Sequence, residues 1–391
     1  MLVLFLISCA GDPAPIAPAP PASAARAPKT VVVDCLGGGD FLTLQDAVAA
    51  SRSGDILQAR PCTYYGRLDF QGKTLRIEST DGPGVTTLQA VPGDAAVEAD
   101  HGEGPGTAIV GFTIAGGGSL EEGVVDVEMS ALLVDGCVIT GGTGAHAVHS
   151  RSSQLVIRGT TIVDNAANLG WTVYAQRGGV HIVDSTIVCG TSPIGLHTTH
   201  GQFLVERSTI DCTGAQTFYN EHAIGRIQRS ILKGVAVHEA EVGNTDTTFF
   251  EDTWVDGGIT ALDGPVNVRN GLVTGGPIDL QGLADSGSVI EGTVIRDAIC
   301  GIRGESNATE IRNNALFGLT SEVCGGGGVS GKDGNIASDC LHADPATGDW
   351  HLTPGSPCID FGPPEAAYSD VDGSRNDIGI YGGPMTQDGG W

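Results

Sequence analysis

Basic residues are scarce in this chain. Its 391 residues contain Lys+Arg 20 against Asp+Glu 46, and the formal net charge is −26. Only four of the basic residues are lysines (Lys29, Lys73, Lys233 and Lys332). Such a surface repels phosphate backbones and anionic lipid, which excludes nucleic acid as a partner. Aromatic residues are 5% and charged residues 17%, yet 40% of the chain is hydrophobic, too apolar for a disordered segment. No C-x-x-C occurs, so neither a zinc knuckle nor a dithiol redox pair is supported. No G-x-y period suggests collagen. The residue in excess is glycine, at 60 of 391 positions, against a usual share of ~7%. Glycine corners between short β-rich segments point to an all-β repeat array, not to the two compact domains that length alone suggests.

The opening apolar run, Met1 to Ile7, is too short to cross a bilayer as a helix. Leu6-Ile7-Ser8-Cys9 resembles a bacterial lipobox, which implies cleavage before Cys9 and its lipidation. The basic n-region of such signals is missing, and a chance cysteine after a short leader is the alternative. Residues 10–30 are Ala/Pro-rich and read as an extended tether. The ten cysteines of an exported chain read as disulfides. Spacing of about one repeat suggests the pairs Cys35–Cys62, Cys189–Cys212, Cys300–Cys324 and Cys340–Cys358, leaving Cys137 as a small buried hydrophobe.

The main signal is a repeat. Short β-branched runs end in a small residue followed by an aliphatic one, as in Leu155-Val156-Ile157-Arg158-Gly159-Thr160-Thr161-Ile162 and Phe203-Leu204-Val205-Glu206-Arg207-Ser208-Thr209-Ile210. The terminal aliphatics are Ile114, Ile139, Ile162, Ile187, Ile210, Leu232, Val255, Val273, Ile295 and Leu316, in steps of 18 to 25 residues. A period near 22 with glycine corners describes one turn of a parallel β-helix, whose turns pair at ~4.8 Å and stack their inward side chains. The absent L-x-x-L-x-L frame excludes a leucine-rich repeat, and the absent Trp-Asp signature a propeller. Open stacks need capped ends. Leu44, Ala47 and Val48 share one face of a predicted N-terminal helix, and the residues after the Gly325 to Gly328 run read as a C-terminal cap. The expected organisation is a signal over 1–9, a tether over 10–30, a helix of about eleven turns over 31–325, and a disulfide-pinned cap over 326–391.

Two segments make the likeness specific. Gly38-Gly39-Asp40-Phe41, Leu44-Gln45-Asp46-Ala47-Val48, Gly54-Asp55, Tyr64 and Gly72-Lys73 resemble the opening of pectin-lyase-fold proteins. Gly355-Ser356-Pro357-Cys358-Ile359-Asp360 and Asp370-Val371-Asp372-Gly373-Ser374-Arg375-Asn376-Asp377-Ile378-Gly379-Ile380-Tyr381-Gly382 resemble the closing segment of bacterial cell-surface β-helix proteins of the choice-of-anchor type. The resemblance implies a single-stranded, right-handed parallel β-helix at the outer membrane or cell surface. It leaves activity open, because this superfold carries both enzymes and adhesins. The blocks of polygalacturonase-like hydrolases are reduced to Asn244-Thr245-Asp246 and Arg226-Ile227-Gln228, with no D-D pair and no G-H-G. The Q-D-T-L block of pectin methylesterases is missing as well.

A second column precedes each β-branched run: Asp126, His149, Tyr174, His197, His222, His238, Asp263, Gln281 and Arg303. If Val148, Val173, Leu196 and Val237 face inward, strand alternation turns these side chains outward along one sheet. Such a ladder suits an extended polysaccharide or surface glycan, with rings on sugar faces and polar tips on hydroxyls. With the scarcity of basic residues, an anionic uronate would need a bridging cation there. The leading expectation is a surface-tethered, non-catalytic protein of adhesion or glycan binding. The alternative is a lyase, hydrolase or epimerase, with His197 or His222 as base and Tyr174 or Arg303 as charge stabiliser. Asp370, Asp372 and Asp377 are candidate ligands of a short calcium loop, against an Asx-rich turn. No other cofactor is expected. Membrane contact is expected only through the N-terminal lipid, and the protein should be a monomer.

Overall fold

The computed structural model describes residues 26–384, apart from 120, 167–169, 241–245, 282–286 and 305–308. Cys9, most of the tether and the first two residues of Asn244-Thr245-Asp246 lie outside the described residues. One turn shows how the chain is built. The strand Gln154–Arg158 is followed by a corner, the short strand Thr161–Val163, a loop, and the strand Trp171–Gln176. A second corner leads to Gly179–Val183, which pairs in parallel with Gln154–Arg158. Repetition gives one parallel sheet of thirteen strands in simple sequence order, while the other two strands of each turn form a second continuous sheet. The chain is a right-handed parallel β-helix of about twelve turns.

All ten aliphatic anchors stack in register, from Ile114 on Ile139 to Ile295 on Leu316. The same row extends back through Leu88 to Tyr64. These side chains are buried, and with inward residues of the other strands such as Leu155, Ile157 and Val173 they form one continuous core. The corner before each anchor explains the small residue. Gly136 and Gly159 take left-handed φ of 58° and 55°, where a Cβ is costly, and Asp184 takes 50°. The next residue, Thr160, Ser185, Ser208 or Ser230, is buried. Each side-chain oxygen accepts an N–H from the preceding turn: Cys137 to Thr160 (3.2 Å), Thr160 to Ser185 (3.2 Å), Ser185 to Ser208 (3.1 Å) and Ser208 to Ser230 (3.2 Å). A hydroxyl thus satisfies a backbone donor that the turn geometry withdraws from water.

At the N-terminal end the helix Leu44–Ala50 is capped by Thr43, whose hydroxyl accepts the Asp46 N–H, and it buries Leu44, Ala47 and Val48. All four expected disulfides are present, with Cα–Cα distances of 6.3, 5.0, 5.4 and 5.2 Å in chain order. Cys137 is a free, buried thiol. Burial pushes its pKa up to about 11, so it packs as a neutral side chain.

The C-terminal segment differs from the simple end cap that its position suggests. Val329 joins the main core near the last turn, where its N–H donates to Glu322. Cys340, Trp350, Cys358, Ile378 and Ile380 instead pack on Leu272, Val294 and Ala315. Those three neighbour inward anchors and therefore point outward. In earlier turns the same row carries Thr161, Thr186 and Thr209. It becomes Trp254, Leu272, Val294 and Ala315 where the segment folds back along the flank.

Candidate functional site

The column of polar and aromatic residues exists, but its second half differs from the expected one. Cross-strand pairing aligns Asp69, Glu98, Asp126, His149, Tyr174, His197, Tyr219, Val237, Thr260, Asp279 and Arg303. Asp126, His149, Tyr174, His197 and Arg303 share the expected row, although Asp126 and His197 are buried in it, and Val148, Val173 and Leu196 are inward.

His222, His238, Asp263 and Gln281 are not on this row. The cause lies in the long strand Thr209–Glu221, whose pairing with the next strand shifts register between Asp211 and Gln216 and again between Gln216 and Phe218. Tyr219 takes the rung opposite His197, and Val237, expected inward, takes the rung after it. His222 falls in the left-handed corner at φ 58°, beside His200 with ring centroids 5.0 Å apart. His238 faces the interior opposite Asn220, its Nδ1 3.0 Å from Asn220 Nδ2 and 3.1 Å from Thr248 Oγ1. Asp263 is another left-handed corner, at φ 56°. Gln281 pairs with Leu262 and reaches back to Asp279 at 2.9 Å.

From His146 to Tyr219 the rings form one continuous packed row, in which His146 and His197 are buried and His149, Trp171, Tyr174 and Tyr219 are half-buried. Ring centroids lie 5.8 Å apart for His149–Tyr174, 4.9 Å for Tyr174–His197 and 4.9 Å for His197–Tyr219. His146 and Trp171, each three residues before a rung, join from the side. Trp171 lies 4.3 Å from Tyr174 and 4.6 Å from His197, and the His146 ring stacks on Trp171 at 5.4 Å. The recurring His146-x-x-His149 and Trp171-x-x-Tyr174 spacing was the available signal for these two, and Tyr219 stands one 22-residue step after His197. Burial pushes His146 and His197 down to about 4, so both are neutral at pH 7. His149 Nδ1 lies 2.9 Å from an Asp126 carboxylate oxygen. The Tyr219 hydroxyl donates to Glu239, and burial together with that carboxylate raises the phenol pKa.

Other candidate groups are spread along the stack. Arg303 lies five rungs from His197, roughly 24 Å at the spacing between paired strands, and donates to Asp279 at 2.8 Å. His222 sits at the corner. His197, His222, Tyr174 and Arg303 therefore do not converge on one reacting position. The three closing-segment aspartates serve backbone turns: Asp370 accepts from the Asp377 N–H (3.1 Å), Asp372 from the Ser374 N–H (2.8 Å) and Asp377 from the Asp360 N–H (2.6 Å). Groups whose ligand atoms lie within 4.8 Å of one another occur elsewhere, as Asp69, His101 and Glu103 and as Asp69, Glu98 and Asp100, at the N-terminal end of the ladder face. Their mostly oxygen donors could hold a hard cation. Arg67 already reaches Glu98 at 3.0 Å. Burial, and then the nearby Asp100, raises Glu98 to about 7.

Beside the ladder strands the chain leaves a cleft of about 770 Å³, lined by residues including Thr213, Gln216, Lys233 and Asp256. It opens where the connecting loop contracts: Thr213 to Gln216 form its longer wall and Gly234 and Gly257 the shorter turns.

No protein-family model matches the sequence, and no curated protein does. Among solved structures, the chain is similar to the pectate lyase Pel9A at 13% identity, over 91% of this chain and 96% of that one, with a TM-score of 0.54. It also overlaps an exopolygalacturonase of Yersinia enterocolitica (12% identity, 77% and 79% of the two chains, TM-score 0.37). A third overlap is with a pectin methylesterase from carrot (12% identity, 81% and 88%, TM-score 0.29). At these identities the likeness concerns the fold.

Proposed function

We propose that this protein is an exported, surface-tethered β-helix that binds an extended polysaccharide along the aromatic face, without turning it over. The observation that carries this reading is the unbroken row of packed rings from His146 and His149 through Trp171, Tyr174 and His197 to Tyr219, of which His149, Trp171, Tyr174 and Tyr219 are part-exposed. His149, Trp171, Tyr174 and Tyr219 are half-buried, and the parts of these rings left open suit contact with pyranose faces, with polar tips between them reaching sugar hydroxyls. Four disulfides suggest an oxidising, extracytoplasmic compartment. Among the described residues no helix is long and apolar enough to cross a membrane. Attachment through a lipid on Cys9 supplies the tether, and Ala10 after it permits passage to the outer membrane.

The test is a panel of neutral, acidic and amino-sugar oligosaccharides, assayed for binding by calorimetry and for new reducing or unsaturated ends. Binding that Tyr174→Ala and Trp171→Ala both weaken, with no new ends, supports the reading. New ends would replace it with an enzyme, and failure of every saccharide to bind would refute it.

A further inference from the structure

The charge around the ring surface narrows the ligand, on the premise that this face is a glycan platform. The second outward row of the same strands runs Glu128, Arg151, Gln176, Thr199, Glu221 and Glu239. Glu221 and Glu239 are directly paired, so two carboxylates stand side by side at the spacing of adjacent strands, ~4.8 Å between backbones. Like charges directly opposite on a sheet repel. Glu239 accepts the Tyr219 hydroxyl, and a Glu221 carboxylate oxygen lies 3.5 Å from His197 Nε2 with the side chain 38% exposed. Among the described residues no lysine or arginine forms an ion pair with either glutamate, and the undescribed internal segments contain neither residue type.

The arginines of this face are largely engaged. Arg151 pairs with Glu128, and Arg303 with Asp279 at 2.8 Å. Arg177 occupies the corner two turns before His222 and opposes the pattern with a single charge. It lies about 10 Å along the stack from Glu221, near one screening length. The ladder histidines His146 and His197 are neutral at pH 7 and add no positive charge.

We infer that the glycan taken by this face carries free amino groups, and that an ammonium sits between Glu221 and Glu239 beside the Tyr219 ring while neighbouring sugars stack on Tyr174 and Trp171. A single ammonium relieves the repulsion of the paired carboxylates, and the ring faces add cation–π attraction. A uronate would bring like charge to the same place. The ligand class therefore differs from the pectate named for the similar lyase structure.

The test compares hexamers of glucosamine, N-acetylglucosamine and galacturonate by calorimetry on the purified protein, with the Glu221→Gln/Glu239→Gln variant and the milder Glu221→Gln. The expected result is at least tenfold tighter binding of the glucosamine hexamer than of its acetylated counterpart. The advantage should shrink below threefold in the double variant, fall partway in the single one, and weaken with added salt. N-acetylglucosamine or galacturonate binding as tightly would overturn the amine subsite and leave the glycan platform standing. So would glucosamine binding that the double variant leaves unchanged, since that is attraction to the acidic surface at large. No binding by any hexamer would refute the platform itself.

Discussion

Replacing Ser208 by alanine tests whether the buried hydroxyl row holds the stack together. Ser208 is 4% exposed, accepts the Ser185 N–H at 3.1 Å and donates to the Glu206 carbonyl at 2.7 Å. The carbonyl keeps a second partner, the Asp184 N–H at 3.1 Å, so the change strands one buried donor only. An unsatisfied buried donor costs ~1–3 kcal/mol, and the lost oxygen adds little cavity. Ser208→Thr keeps the acceptor. The row already holds Thr160 and Thr293 in the same role, so threonine should be neutral within ~0.5 kcal/mol. Urea titration reads the difference as a midpoint shift. A long solenoid need not unfold in two states, so midpoints at equal slope are the sound comparison. With a slope of ~3 kcal/mol/M, Ser208→Ala should lower the midpoint by ~0.3–1 M, while Thr63→Ala on an exposed position should barely move it. A Ser208→Ala midpoint equal to that of the parent protein would falsify the reasoning. So would a threonine variant as weak as the alanine one, because shape and not the acceptor would then be decisive.

Four further outcomes are expected. Cys189→Ala/Cys212→Ala opens a loop of 23 residues and should cost ~3 kcal/mol in the chain-entropy account; alkylation of both thiols in unreduced protein would show that the bridge is absent. Tyr174→Ala should weaken saccharide binding by ~1 kcal/mol or more while costing far less stability than Phe218→Ala, a fully buried ring worth ~3–5 kcal/mol, and the reverse order of stability losses would place Tyr174 in the core. Burial lowers the His238 pKa to about 4, against ~6.5 unfolded, so the unfolded chain takes up its proton first and stability is lost as pH falls from 6.5 towards 4. His238→Gln should lack that loss while the raised Glu98 and Asp252 act equally in both proteins, so a stability difference independent of pH over that window would contradict the burial argument. Cys9→Ser should move the protein from the membrane to the soluble fraction of its native host, and unchanged fractionation would rule out the lipid tether.

The interior of this fold was legible because every turn repeats one constraint. An anchor such as Ile187 or Ile210 has no exposure, so only a buried aliphatic suits it and the spacing survives loops of different length. The disulfides were legible for the same reason: Cys189 and Cys212 each stand two residues past their anchor, which places them one above the other. The outward face carries no such constraint. Identity alone linked His197 to His222 and His238, whereas the register shifts after Asp211 give those rungs to Tyr219 and Val237. The 16-residue step from His222 to His238 was the visible warning, since no other step in that region is so short. The fold-back of the closing segment was also written outside the repeat, in the change of an outward row from Thr209 through Ile231 to Trp254 and Leu272.

The three flanks of the stack differ in what they leave for a ligand. On the thirteen-stranded sheet the outward charges neutralise one another along the axis. Arg226 meets Glu251 at 2.8 Å, Arg269 meets Glu251 at 3.6 Å and Glu291 at 2.5 Å, and Arg312 meets Glu291 at 2.6 Å. A ligand there would have to break pairs that already satisfy each other. On the flank of the anchor strands, the apolar outward positions of the last turns are covered by Trp350, Ile378 and Ile380. The ladder flank follows neither pattern. Its rings pack on one another along the stack, and its paired glutamates have no lysine or arginine partner among the described residues. A helix built by stacking gains no stability from setting Glu221 against Glu239. Retaining both beside Tyr219 is therefore better explained by something that binds them than by the scaffold.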